Sequence, residues 1–213
     1  MPNISKWTKV AIAIQSALGA AKTITAITKA NPGVVTSTAH GLLNGAFVLL
    51  EVAGMAQVND RVFRIAAVAV NTFELEGQDT TSYDTFVSGT AKEITFGTSV
   101  ATATGVTASG GEFEFEDTTT IHDTVRSQIP TLASAPLMTF ENIWDVADLA
   151  LIALKAASDA ATKRAVRMTF ANAQKLVFNS YIGATLLPGG TAPGKVTTQV
   201  VMTMAAQHTV YAT

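Results

Sequence analysis

The sequence predicts a mainly β fold: a sandwich or barrel with one flanking α-helix and an inserted small β-barrel module. Three observations predict it. Between Thr23 and Gly89 short apolar segments recur between turn signals, several later segments alternate apolar and polar residues with period two, and only the stretch after Asp145 repeats apolar residues at helical spacing.

At the N-terminus Lys6 and Lys9 precede the apolar run Val10–Ile14, and Leu18–Gly19–Ala20–Ala21 follows. This is a crude outline of a secretion signal, but Gln15 and Ser16 end the apolar run, which reads equally as a buried strand. Strands are then expected at Thr23–Thr28, Val34–Thr38, Ala46–Val52, Arg61–Val70 and Phe73–Glu76. Asn31–Pro32–Gly33, His40–Gly41, Ala53–Gly54 and Asn71–Thr72 supply the turns between them. Phe47, Leu49, Phe63, Ile65, Phe73 and Leu75 are the large residues available to close a core in this unit of about 70 residues. The expected organisation is residues 1–22 and 93–213 as one β domain, with residues 23–92 inserted between chain ends that meet near Lys22 and Ala91.

After the insert, Glu93–Phe96 and Ala103–Thr107 read as strands, and Gly110–Gly111 opens the run Glu112–Phe113–Glu114–Phe115–Glu116. Strict alternation puts Phe113 and Phe115 on one face, expected to be core, and three carboxylates on the other. The segment from Asp117 to Pro136 has few apolar residues and is expected to be a long functional loop. Asp145 is the expected helix N-cap, with Asp148 in the first turn and Val146, Leu149, Ala150, Ala153 and Leu154 forming a stripe that ends near Ala157–Ser158. Arg164–Phe170 alternates again, turning Val166, Met168 and Phe170 inward and Arg167 and Thr169 outward. Lys175–Tyr181 and Val196–Met204 complete the strands on either side of the Leu187–Pro188–Gly189–Gly190 turn.

Composition excludes several functions. Fourteen Lys+Arg against sixteen Asp+Glu leave a net charge of −2, so there is no excess positive field to hold a phosphate backbone or an anionic membrane. With no cysteine there is no disulfide, thiolate metal site or thiol nucleophile. His40, His122 and His208 lack metal-ligand spacing, and no apolar stretch reaches the roughly 18 residues of a spanning helix. Charged residues make up only 14%, against about 25% in typical soluble domains. That fits either a surface that expects a partner or simply an Ala- and Thr-rich monomer. No convergent catalytic set is visible. Glu112, Glu114 and Glu116 point in parallel along one strand face, and the polar groups from Asp117 to Asp123 are close in sequence without defining a triad. Gly110–Gly111 and Pro188–Gly189–Gly190 lack the strand-to-helix context and the lysine of a phosphate loop. No enzyme, cofactor or metal is expected.

The stretch from Phe115 through Thr118, Thr119, Thr120, Asp123 and Arg126 to Pro130 resembles the strand-to-loop passage of tail tube proteins of long-tailed bacteriophages. The helix after Asp145 followed by three strands is in that family's order, and Lys9–Ala21 is similar to the family's start. The resemblance covers residues 1–22 and 93–213. Residues 23–92 resemble a different unit, the first catalytic cysteine half-domain of ubiquitin-activating enzymes, through Ile24–Thr25–Ala26–Ile27, Ala39–His40–Gly41–Leu42, Gly45–Ala46–Phe47–Val48, Val62–Phe63–Arg64–Ile65 and Asn71–Thr72–Phe73–Glu74–Leu75. Without a cysteine only the fold carries over, as an exterior decoration.

The resemblance implies homohexameric rings that stack into the hollow tail tube and conduct genomic DNA from capsid to host. The tube is assembled in the host cytoplasm alongside tape measure, tail tip and tail terminator proteins. DNA would pass without specific binding, and no membrane is involved. It also implies that Asp117, Thr118, Thr119, His122, Asp123, Arg126, Gln128 and Pro130 lie in the ring-stacking loop. Glu112, Glu114 and Glu116 are candidates for a lumen-facing acidic strand that repels DNA, or else are ordinary solvent-facing carboxylates. The competing reading is a virion fibre or cell-surface adhesion protein whose β modules bind a receptor or glycan. Such proteins display aromatic residues in loops, whereas here aromatics are only 7% and sit mostly in strand-like positions.

Overall fold

The computed structural model describes residues 6–212; residues 1–5 and 213, the extreme ends of the expected outer β domain, lie outside the described residues. The strands are β1 (Ala11–Ile14), β2 (Ala17–Leu18), β3 (Lys22–Ile24), β4 (Ala26–Ile27), β5 (Val34–Thr36), β6 (Phe47–Ala53), β7 (Val62–Ala66), β8 (Thr72–Leu75) and β9 (Ser88–Thr95). They continue with β10 (Thr98–Ser99), β11 (Ala103–Ser109), β12 (Phe113–Asp117), β13 (Gln128–Ala133) and β14 (Leu137–Ile143). After the helix α1 (Leu149–Asp159) come β15 (Lys163–Thr169), β16 (Lys175–Gly183), β17 (Thr197–Met204) and β18 (Thr209–Tyr211). The fold is mainly β with one helix, as the sequence predicts.

One sheet has the order β10-β1-β15-β16-β17-β14-β11, with β18 also paired to β16. Period-two alternation turns Ile12, Ile14, Val166, Met168 and Phe178 from one half of the sheet, and Met138, Phe140, Val200 and Met202 from the other, into a single core. The sheet therefore curls over on itself as a sandwich. Its two ends approach across a cavity of about 470 Å³ lined by Ile12 and Val100 on one side and Ala103 and Val106 on the other. The helix packs Ala150, Leu151, Leu154 and Ala157 into the same core. Its start differs from the sequence expectation. Asp148 is the N-cap, its Oδ1 accepting the Leu151 N–H at 2.8 Å, while Asp145 accepts the Ala147 N–H in a turn one step earlier.

The second sheet, β2-β9-β6-β7-β8-β5-β4, closes into a barrel, because β4 pairs with β5 while β3, directly before it in the chain, pairs with β9. Lys22 lies opposite Ala91 in that closing ladder. The Arg61–Val70 strand expected from sequence stops at Ala66, since Ala67 takes a left-handed conformation (φ 46°) and turns the chain into β8. The barrel core gathers Phe63, Ile65, Phe73 and Leu75. Phe47 and Leu49, expected in the same core, instead face out of the barrel. With Val62, Ile94, Ala165, Val177 and Tyr211 they form a third core between barrel and sandwich.

That third core has a polar frame. The Tyr211 hydroxyl accepts the Arg64 N–H at 2.6 Å, Thr209 donates to the Val62 carbonyl at 2.6 Å, and Lys163 pairs with Asp60 at 2.7 Å. Arg167, expected to face away, lies over the rings of Phe96 and Phe47 at 4.7 and 5.6 Å, and burial lowers its guanidinium pKa. The outer side of β15 and β16 is thus covered by the barrel rather than by solvent.

Two further differences concern the segment after β11. Asp117–Pro136 is not a structureless loop, because Gln128–Ala133 pairs with β12 as a hairpin. Nor is Phe113–Phe115 core: both residues are more than half exposed, because the hairpin is a two-stranded sheet of its own and among the described residues no other sheet or helix covers it.

Candidate assembly site

The chemistry-bearing residues singled out from sequence all fall on one ribbon. β11 and β14 pair from Ala103↔Asn142 to Ser109↔Leu137, and the ladder resumes beyond Gly110–Gly111 as β12–β13, from Phe113↔Ala133 to Asp117↔Gln128. Gly110 sits at φ 79°, and a Cβ there would meet the Ala135 carbonyl oxygen at 2.5 Å, so only glycine allows the two strands to cross so closely at the junction.

Directly opposed residues of an antiparallel pair share a face. One face of the hairpin therefore carries Phe113, Phe115, Pro130 and Ala133, and the other carries Glu116 with Ile129 and, by alternation, Glu114. Both faces are bare: Phe115 is 61% exposed and Leu132 84%. An apolar strip of this kind on a single chain marks a surface that a partner covers. Glu112 lies just before β12 and is exposed with the other two carboxylates.

At the tip, Thr118 donates its N–H to Ser127 at 2.9 Å, closing the ribbon. Asp117 accepts the Thr119 N–H at 2.8 Å, and Asp123 accepts the Thr120 N–H at 2.7 Å. Arg126 approaches Asp117 at 3.9 Å, an exposed pair of small energetic weight. The expected stacking residues Asp117, Thr118, Thr119, His122, Asp123 and Arg126 are thus gathered at one tip, with Gln128 and Pro130 on the returning strand. Sequence reading missed Ile121 and Val125, which crown the tip at 96% and 76% exposure. Two aliphatic residues inside a Thr- and Asp-rich run were the available signal.

The tip has a defined pH response. Hydrogen bonds from the Thr119 hydroxyl and N–H hold the Asp117 carboxyl below its ordinary range, and those from the Thr120 N–H and hydroxyl do the same for Asp123. A carboxylate whose pKa is depressed by folding stabilises the folded form above its unfolded pKa, and that contribution is lost as pH falls through the depressed value. The tip is therefore expected to keep its amide protection down through the ordinary carboxylate range near pH 4 and to loosen only below it. Hydrogen exchange at Thr119 and Thr120 as a function of pH checks this; loss of protection already at about pH 5 to 6 would contradict it.

The remaining feature is the edges. Among the described residues β10 pairs only with β1, and β11 only with β14, so the sandwich ends in unpaired strand edges, and the edge of β11 continues along the ribbon into β12. The barrel's ladder closes through β3 and β4, and among the described residues its one strand paired on a single side is the two-residue β2. Exposed edges are normally paired, covered or blunted by charge, and β11 carries no charged residue. Among the described residues no group of histidines and carboxylates is placed to hold a metal.

Residues 53–213 match the family model described as phage tail tube protein, TTP, a span that takes in β7–β9 of the barrel together with β10–β18 and the helix, and leaves out β1 of the sandwich. No match is found among curated proteins.

Proposed function

The chain belongs to the phage tail tube protein family and is a structural component of the virion tail; on that premise we propose that six copies close into a ring and that rings stack into a hollow tube through which genomic DNA leaves the capsid. The observation that carries this reading is the pair of unpaired edges on one sheet, continued by a ribbon bare on both faces. Neighbours within a ring complete the edges of β10 and β11, which closes a heterologous interface. The ribbon reaches the next ring, a second heterologous interface that does not close and so propagates a filament. Its contact residues are Asp117, Thr118, Thr119, His122, Asp123, Arg126, Gln128 and Pro130, with Ile121 and Val125 at the tip.

In this reading residues 23–92 are a module inserted between 1–22 and 93–213, similar in fold to the ubiquitin-activating half-domain and displayed on the tube exterior. Tape measure, tail tip and tail terminator proteins are the other partners, and assembly takes place in the host cytoplasm. Catalysis plays no part. Glu112, Glu114 and Glu116 face the bore where one ring meets the next, and their charge keeps the polyanion off the wall.

Electron microscopy of the concentrated protein tests the assembly. Stacked rings with a central channel are expected, and a particle that stays monomeric even after isolated tail tips are added would overturn the reading. The acidic residues have a separate test. Replacing all three by lysine is expected to leave tubes intact while slowing genome ejection, and normal infectivity of that variant would remove them from the bore.

A further inference from the structure

Where the barrel meets the sandwich, a cavity of about 570 Å³ opens between the two. The barrel lines it with Gln57, Asn59, Asp60, Arg61 and Tyr83, and the sandwich with Ala205–Gln207, the link between β17 and β18. A volume of this order holds a small molecule. Arg61 sets its chemistry. The residue is only 5% exposed, and its guanidinium lies over the Phe63 ring at 4.9 Å. Nη1 donates to the Gln57 carbonyl at 2.9 Å and Nη2 to Gln78 Oε1 at 3.1 Å, both neutral acceptors. Nε has no partner, and among the described residues Arg61 forms no ion pair, whereas Arg64 has Glu76 and Lys163 has Asp60. A buried charge without a counter-ion is costly.

Side-chain acceptors on the barrel side are already engaged. Asn59 Oδ1 takes the Val52 N–H at 2.9 Å, which leaves its NH2 group free to donate. The Tyr83 hydroxyl accepts from Gln78 Nε2 at 2.6 Å, which leaves its own proton to give. The Gln57 amide is spent on Asp84, donating to its carboxylate at 2.9 Å and accepting its N–H at 3.3 Å. Asp60, the one carboxylate in the lining, is held by Lys163 at 2.7 Å. The barrel wall therefore offers a guest a guanidinium, a phenol O–H and an amide NH2, all of them donors.

From this one-sided chemistry we infer that the cavity binds a sugar acid, with its carboxylate on Arg61 and its ring hydroxyls on Tyr83 and Asn59. Both walls belong to one chain, so the site needs no second copy and no tube. A carboxylate fits better than a phosphate, because the wall holds one uncompensated positive charge and Asp60 opposes a second negative one. A bare carboxylate would leave most of the cavity empty, while a hexose ring brings oxygens that accept from the two neutral donors. An acidic protein segment would be anchored by large apolar or aromatic contacts as well as by charge, and Tyr83 is the one such residue in the lining.

Titration of the free subunit with D-glucuronate, followed by amide NMR, is expected to saturate and to move Arg61 and Gln207, one on each wall. D-glucose presents the same kind of ring without the charge, inorganic phosphate presents charge without the ring, and acetyl-glutamate amide stands for a protein carboxylate. Each should bind at least about tenfold more weakly. Arg61→Met keeps a chain over Phe63 and removes the charge, and it should abolish binding. Tyr83→Phe keeps the ring and removes only the hydroxyl, so it reports even where Arg61→Met does not fold; its affinity should fall about three- to tenfold. Glucuronate that never saturates, a control that binds as tightly as glucuronate, or unchanged affinity in Tyr83→Phe would each overturn the inference.

Discussion

Excising residues 112–133 and joining Gly111 to Ser134 is expected to leave a folded subunit that no longer forms tubes. The Gly111 N–H already donates to the Ser134 carbonyl at 3.0 Å, so the join spans no gap. None of the three cores draws a side chain from the ribbon, and every residue of β12 and β13 is exposed. Loss of such surface should change stability by less than about 1 kcal/mol, which a denaturant melt would read. Assembly, followed by light scattering at concentrations where the intact chain polymerises, should disappear. Tubes of normal length from the excised chain would show that the ribbon is not the longitudinal contact, and a collapsed melting transition would show that it supports the fold after all.

The second large effect is expected at Tyr211, the residue that closes the seam between barrel and sandwich. The residue is buried, at 6% exposure, and its ring stands edge-on to Phe47 at 6.2 Å and lies beneath the Arg64 guanidinium at 4.6 Å. Burial raises the phenol's pKa, so the hydroxyl stays neutral and available to the Arg64 N–H across the physiological range. Tyr211→Ala removes the ring and leaves that N–H without its partner, at a cost of about 3–5 kcal/mol. Tyr211→Phe keeps the packing and loses only the hydrogen bond, at about 1–2 kcal/mol. Denaturant unfolding of both variants separates the two contributions. Limited proteolysis of the alanine variant should cut between barrel and sandwich before either is degraded, and equal stability of the two variants would mean that the ring packs nothing.

Much of this architecture was legible in the sequence, because burial follows alternation wherever a core lies behind the strand. Val166 and Met168 are read as inward on that basis and both are buried, and the alternation of Val196–Met204 likewise has its Val200 and Met202 buried. The same rule failed at Phe113 and Phe115, where the alternation is equally strict but none of the described residues supplies a surface to cover them. Periodicity reports that a face is apolar and is silent on who covers it. β14 escaped notice because its third inward position is Asn142, a fully buried amide that breaks the apolar signal carried by Met138 and Phe140. The helix start was displaced by one turn because Asp145 and Asp148 are both competent caps, and only the chain path chooses between them. Of the assembly residues, the polar tip was visible in composition. The free edge of β11 was not, because an edge is a property of sheet order and no residue type encodes it.

The closed barrel also bears on how the filament grows. A subunit that offered strand edges in both of its sheets could recruit copies sideways as well as along the tail, and the product would branch or form a mat. With the barrel's ladder joined end to end through Lys22 and Ala91, and only the two-residue β2 left paired on one side among the described residues, the long edges able to exchange strands belong to the sandwich. In the proposed tube the barrel can vary in sequence, or be exchanged for another closed fold, without supplying a new direction of polymerisation, and the growth of the tail stays one-dimensional.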